Sequence, residues 1–217
     1  MKAKKKQYLV LGLGRFGSSV ARSLCEMGHE VLAVDSDADA VASVAPYVTQ
    51  CVQADATDED VLASFAPGSF DAAVVSVGGN VQDSVMMSLL CKEQGVPFVI
   101  AKANSDLHGK LLRKIGVDRV IFPERDMGHR LARWLVMPSV LDMMELSDDH
   151  QIAEVMTPDG WAERTLVQID VRRRYGVSVI AVRRGTQLIT SPGADMKLES
   201  GDVLILIGKQ QDIDSIR

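Results

Sequence analysis

The sequence predicts an α/β fold, a doubly wound parallel sheet followed by a second, smaller α+β C-terminal module. Three observations carry this. Short apolar runs of strand length alternate with amphipathic stretches of helix length through the first 137 residues. The first run ends in a glycine-rich turn, "LGLGRFG", that opens a helix. Beyond "MPS" at 137–139 the order changes to closely spaced strands separated by turn residues.

Each element has its own signal. "QYLVLGLG" is a short β-branched and apolar run that ends in glycines, as a buried strand does. "RFGSSVARSLCEMG" sets Val20, Leu24 and Met27 at helical spacing and closes on Gly28. "HEVLAVD" is the second strand. The alternation then continues with a helix over 37–45, strand "VTQCVQ", helix "DEDVLASF" and strand "FDAAVVSV". A helix over 81–94, strand "PFVIAKA", helix "SDLHGKLLRKIG", strand "DRVIF" and helix "ERDMGHRLARWL" complete it. Six strands, each followed by a helix, make a full doubly wound sheet.

Pro138 ends the last of these helices. Val140, Met143 and Met144 then fall at helical spacing, so a linker helix is expected within 138–150. In the remainder, "QIAEVMT" reads as a strand and "ERTLVQIDVRRRYG" as one helix closed by Gly176. "VSVIAVRRG", "TQLITSP" and "DVLILIG" read as strands, and "QQDIDSI" as a final helix. The expected division is a nucleotide-binding domain at 1–137, the linker helix at 138–150 and the small module at 151–217.

Composition narrows the function. Of 217 residues 47% are hydrophobic, enough for a substantial core, and the net charge is −5, which argues against a nucleic-acid face. "KAKKK" at 2–6 is the one dense basic run and reads as a solvated lead-in. Cys25, Cys51 and Cys91 are odd in number, widely spaced and without a Cys-x-x-Cys pair, as expected of reduced thiols in a cytosolic protein. No apolar run approaches a membrane span and no signal peptide opens the chain. The expectation is a soluble, cytoplasmic protein that reaches a membrane only by docking on another subunit.

Gly12, Gly14 and Gly17 form G-x-G-x-x-G between a predicted strand and a predicted helix. The first permits the tight turn, the second lets backbone approach a pyrophosphate, and the third lets helix and strand pack closely. The helix N-terminus offers free N–H groups and the positive end of its dipole to phosphate. Asp35 ends the second strand 23 residues after Gly12, where a carboxylate accepts from both ribose hydroxyls. This is a Rossmann-like arrangement, and it disfavours NADP, whose 2′-phosphate would meet like charge.

Later strand ends add candidates. Asp55 and Thr57 in "ADAT" read equally as adenine-side contacts or as a turn and helix cap. Gly78, Gly79 and Asn80 follow the fourth strand, and Lys102 ends the fifth, either as a phosphate cation or as a surface lysine. Arg15 follows Gly14 at the helix start, where a cation opposes the dipole at a cost of up to ~1 kcal/mol unless an anion compensates. Its fork suits a terminal polyphosphate, so ATP or ADP fits as well as NAD; a solvated arginine is the alternative.

No catalytic machinery accompanies this turn. His29, His108, His129 and His150 are scattered, with His108 and His129 read as surface residues on amphipathic helices. No metal cage or nucleophile elbow is visible, so the chain reads as a non-enzymatic sensor rather than an NAD-dependent oxidoreductase or a fragment of one. Met127, Leu131 and Leu135 form a helical stripe suited to core or subunit-interface packing.

"VLGLGRFGSSVA", "VDSD", "ADATDEDVL", "FPERDMGHRLA" and "VIAVRRG…ITSPGADMKLESGDVLILIG" together resemble the cytosolic regulatory subunits of Trk/Ktr potassium-uptake systems, built on the RCK domain. The likeness runs over essentially the whole chain, and its single-unit length favours the Ktr type. It implies an octameric gating ring, dimers assembled on a membrane potassium-channel subunit at the inner face of the cell membrane, that responds to ATP against ADP; Trk-like relatives also bind NAD or NADH. It carries Gly12, Gly14, Arg15, Gly17, Asp35, Asp55 and Lys102 over to the nucleotide. Glu124 matches a position that holds a divalent cation between subunits in relatives, although a carboxylate after Pro123 also suits a helix N-terminus. Some relatives bind cyclic di-AMP between paired C-terminal modules, and Arg172, Arg173, Val177, Val179, Ile180 and Pro192 lie loosely in that region.

Overall fold

The computed structural model describes residues 5–136, 140–147 and 149–216. The chain divides into two compact units, Met1–Asp126 and Met127–Arg217.

The first unit alternates β1 (Gln7–Leu11), α1 (Arg15–Glu26), β2 (Glu30–Asp35), α2 (Ala38–Val44), β3 (Gln50–Gln53), α3 (Glu59–Ser64), β4 (Ala72–Val75), α4 (Val81–Glu93), β5 (Val99–Lys102), α5 (Asp106–Lys114) and β6 (Arg119–Ile121), and ends in the first turn of α6 (Pro123–Val136), whose residues 127–136 belong to the second unit. The six strands lie parallel in the order β3-β2-β1-β4-β5-β6. Both faces are covered, which is why the strands read as continuous apolar runs. Leu9, Leu11, Leu32, Val34, Ala73 and Val75 point into one core. Val10, Val31, Ala33 and Val74 alternate with them into the other. The order reverses between β1 and β4, so the loops after these two strands flank a crevice at the carboxyl edge of the sheet.

Helix entry separates α1 from its neighbours. Asp37, Asp58, Asn80 and Ser105 cap α2, α3, α4 and α5, each accepting from backbone N–H groups of the first turn. The N-cap of α1 is Gly14, which supplies no side-chain acceptor, and its first turn carries no acidic residue.

The second unit contains β7 (Val140–Glu145), β8 (His150–Met156), α7 (Leu166–Ile169), α8 (Val171–Tyr175), β9 (Ser178–Arg184), β10 (Gln187–Thr190), β11 (Val203–Lys209) and α9 (Gln210–Asp214). Its sheet is antiparallel at every pairing, in the order β10-β9-β11-β8-β7. Asp202, 1% exposed, receives a two-pronged contact from Arg184 at 2.7 and 2.8 Å. That pairing holds the Asp202 carboxyl below the usual carboxylate range.

Two expectations fail in this unit. The expected linker helix is the strand β7, paired antiparallel with β8. Its helical period is an effect of a bulge. Val140 faces Val155 and Asp142 faces Glu154, so Leu141 is an extra residue. The insertion puts Val140 and Met143 on the inner face, opposite buried Val155 and Ala153, and leaves Met144 exposed. The spacing of three that reads as helical is two plus one bulge. The second failure is the single helix expected across "ERTLVQIDVRRRYG". It is broken into α7 and α8 at Asp170, whose φ of +54° lies in the left-handed region that aspartate tolerates. The stripe Met127, Leu131 and Leu135 is at least half exposed, so it does not serve the core of this chain.

Candidate nucleotide-binding site

The crevice is built from the β1–α1 turn upward. Gly12, at φ +90°, donates its N–H to Val34 O at 2.8 Å and turns the chain out of the sheet. Gly17 packs against this turn so closely that a Cβ there would meet Gly12 O at 1.9 Å. Gly14 differs. A Cβ on it would meet nothing within 4 Å, so its side faces open space beside the uncapped N-terminus of α1. A packing glycine would be crowded; an open one at a helix start leaves room for a ligand to approach backbone.

Asp35 anchors the turn from β2. Its Oδ2 accepts from Leu13 N at 2.6 Å and its Oδ1 from Asp37 N at 2.9 Å. Each oxygen keeps a further lone pair for a hydroxyl donor. Ser76, buried at the end of β4, donates to Gly12 O at 2.5 Å and ties the two crevice loops together. Sequence reasoning missed Ser76, whose signal is its place as the polar residue closing an apolar strand.

Arg15 is exposed, and its guanidinium has no ion-pair or hydrogen-bond partner among the described residues. A cation and a helix dipole of the same sign therefore meet at an end without a capping side chain, a combination that favours an anion. Lys102 is mostly buried, with side-chain exposure of 15%, and its Nζ lies 2.5 Å from Glu124 Oε1. Its stem covers the Cα of Gly78, where an added Cβ would meet Lys102 Cε at 3.2 Å. The surface-lysine alternative is thus not what the fold contains. The Lys102 hydrogen bond holds the Glu124 carboxyl below its ordinary range.

Asp55 and Thr57 are engaged with each other. Asp55 Oδ1 accepts from Thr57 Oγ1 at 2.7 Å and Thr57 N at 2.9 Å, which lowers the carboxyl's pKa. Glu124 accepts from Lys102, and no group of three metal-ligating side chains occurs among the described residues. In the second unit Arg172 and Arg173 are exposed on α8, whereas Val177 is fully buried.

His108 corrects the sequence reading. It is 1% exposed, not a surface residue, with Nε2 3.1 Å from Ser84 Oγ and Nδ1 3.1 Å from Asn104 Oδ1. Burial pushes its pKa down, which favours the neutral ring. Cys91 is likewise buried, its thiol pushed up to about 12, and is inert packing. Among the described residues no helix is long and apolar enough to cross a membrane.

Comparison with known proteins agrees with this architecture. The TrkA-N domain model matches residues 8–123 and the TrkA-C domain model residues 151–217. The chain is 42% identical to the Ktr system potassium uptake protein C of Bacillus subtilis, over 96% of this chain and 95% of that protein. It is 36% identical to the Ktr system potassium uptake protein A of Vibrio alginolyticus, over 98% of this chain and 97% of that one. Among solved structures, the GsuK RCK domain superposes with a TM-score of 0.68 at 22% identity, covering 98% of this chain and 47% of that one. The GsuK channel bound to NAD gives 0.67 at 23% identity, covering 97% and 38%. The chain thus spans under half the length of those solved chains, and the likeness to them is one of fold. With a TrkA-N and a TrkA-C domain in order and end-to-end similarity to Ktr proteins, the chain belongs to the TrkA/Ktr family of potassium-uptake proteins.

Proposed function

We propose that this chain is a cytosolic, non-enzymatic regulatory subunit that senses adenine nucleotides and gates a membrane potassium transporter. The observation that carries the reading is the contrast at helix starts. The helices α2 to α5 are capped by their own side chains, while α1 leaves its N–H groups open beneath an open Gly14 and beside an unpaired Arg15. In a member of this family, such an end suits a polyphosphate. Gly12, Gly14 and Gly17 shape the turn, Asp35 takes the ribose, and Gly78 with Lys102 forms the facing wall. Asp55 and Thr57 border the adenine side as a preformed turn. ATP and ADP are the opposing ligands, with NAD or NADH as a further occupant.

The histidines support a sensor over a dehydrogenase. His29 packs edge-on against Tyr8, His150 is bonded to Asp149 in the second unit, and His108 is enclosed. Glu124 is offered as the divalent-cation carboxylate, which needs donors from a second copy because one carboxylate does not fill a cation's shell. The same reading includes dimers assembled into an octameric ring, exposed Met127, Leu131 and Leu135 on α6 as contact surface, and Arg172 with Arg173 as the cationic part of a cyclic di-AMP site between paired modules.

Gating requires that the two ligands differ in affinity for two ring shapes. ATP and ADP share adenine and ribose contacts, so the terminal phosphate must supply the difference. The test is potassium flux through the membrane subunit of the system, reconstituted in vesicles with this chain and exchanged between ATP and ADP. Flux should rise or fall several-fold on exchange and lose that response when the chain is omitted. Equal flux under both nucleotides would rule out the sensing role.

A further inference from the structure

The β4–α4 wall is held from behind by a chain of polar side chains that starts at buried Ser84 and His108 and ends at exposed Asn104. Gly78 O accepts from Asn104 Nδ2 at 2.7 Å. That bond fixes the amide: its nitrogen faces Gly78, so its oxygen faces His108 Nδ1 at 3.1 Å. An amide oxygen only accepts, so Nδ1 carries the proton. Nε2 of the neutral ring is then an acceptor, and Ser84 Oγ donates to it at 3.1 Å. Asn104 N also lies 3.4 Å from Nδ1, but two N–H groups cannot bond each other, and the shorter contact with Oδ1 decides the tautomer.

Every link therefore points one way, from Ser84 on α4 through His108 on α5 and Asn104 after β5 to the carbonyl of Gly78. Ser84 and His108 are 0% and 1% exposed, so neither exchanges its partner for water. The far side of Gly78 is covered by the Lys102 stem, and the preceding Val77 abuts Gly12, where an added Cβ would meet Val77 Cγ2 at 2.8 Å. The loop is clamped between the glycine turn, the lysine and the amide.

We propose that Ser84, His108 and Asn104 are positioning residues that set the Gly78 carbonyl, and through it the β4–α4 wall of the nucleotide site. This rests on the crevice being that site. If the wall faces the portion that ATP and ADP share, its displacement weakens both alike.

The test is calorimetric titration of the full chain with ATP and with ADP, beside melting of each variant without nucleotide. Asn104→Ala removes the donor to Gly78 from an exposed position without adding charge. Affinity for both nucleotides should fall about tenfold. His108→Leu removes the donor that orients Asn104 and should weaken both several-fold. His108→Gln keeps an amide donor and should stay within about threefold of wild type. Wild-type affinity in Asn104→Ala overturns the relay, as does a loss in the His108 variants that merely follows their melting temperatures regardless of a retained donor. If the wild-type chain binds neither nucleotide, the site reading itself falls, a result distinct from failure of the relay.

Discussion

Gly17→Ala is expected to lower the melting temperature by roughly 6–12 °C, which is about 3 kcal/mol at ~2–4 °C per kcal/mol for a chain of this length. The added methyl would lie 1.9 Å from Gly12 O and 2.3 Å from Ser76 Oγ. The first of these is backbone, so no rotamer change relieves it and α1 must move off the sheet. Overpacking of a well-filled core costs typically 1–3 kcal/mol, and a backbone clash this close lies at the upper end. The displaced α1 N-terminus should also lose its nucleotide. Gly14→Ala is the control that separates fold from ligand. Gly14 has φ −61°, which alanine adopts, and open space where the methyl would go. Its melting temperature should stay near wild type while nucleotide affinity falls, because the methyl occupies the approach to the backbone. Thermal melts and titrations of both variants check this; equal stability of the two would mean the contact at Gly17 is not the constraint described.

Arg15→Ala should weaken ATP binding roughly 10- to 100-fold, the loss of a charge-assisted hydrogen bond of ~1.5–3 kcal/mol at ~1.4 kcal/mol per decade. ADP should lose much less, since the glycine turn, Asp35 and the α1 N-terminus still hold what the ligands share. The fold should be unaffected, because Arg15 is exposed and its guanidinium makes no ion pair among the described residues. Titration calorimetry against both nucleotides reads the difference. Equal losses would assign Arg15 to the diphosphate, and no loss would make it a solvated surface residue.

The parts of this molecule legible in its sequence are those written in local pattern. Strands buried on both faces give unbroken apolar runs, and the turn at Gly12 to Gly17 has few other chemical explanations, so the parallel sheet and the crevice follow from them. Patterns that depend on distant partners were not legible. The inner face of β7 is set by Val155 and Ala153 across the ladder, and the bulge at Leu141 gives it a helical period. His108 belongs to a helix whose buried residues are His108, Gly109 and Leu112, while Leu107 and Leu111 are exposed at 70% and 42%. Apolar periodicity there points to the wrong face. The available signal was Gly109, a glycine inside a helix, which marks close approach; an added Cβ would meet Phe122 Cζ at 2.5 Å. The pairing of Lys102 with Glu124, and the packing of the Lys102 stem on Gly78, join three strand ends that sequence spacing does not relate.

The most direct measurement of the central claim, that the β1–α1 crevice is an adenine-nucleotide site gated by Asp35 against a 2′-phosphate, is thermal denaturation of the full chain with saturating ATP, ADP or NADP. At about 100 times its dissociation constant a ligand adds ~2.7 kcal/mol, so ATP and ADP should each raise the melting temperature by roughly 5–11 °C. NADP at the same concentration should shift it far less. A melt unmoved by ATP and ADP, or moved by NADP alone, would contradict the account.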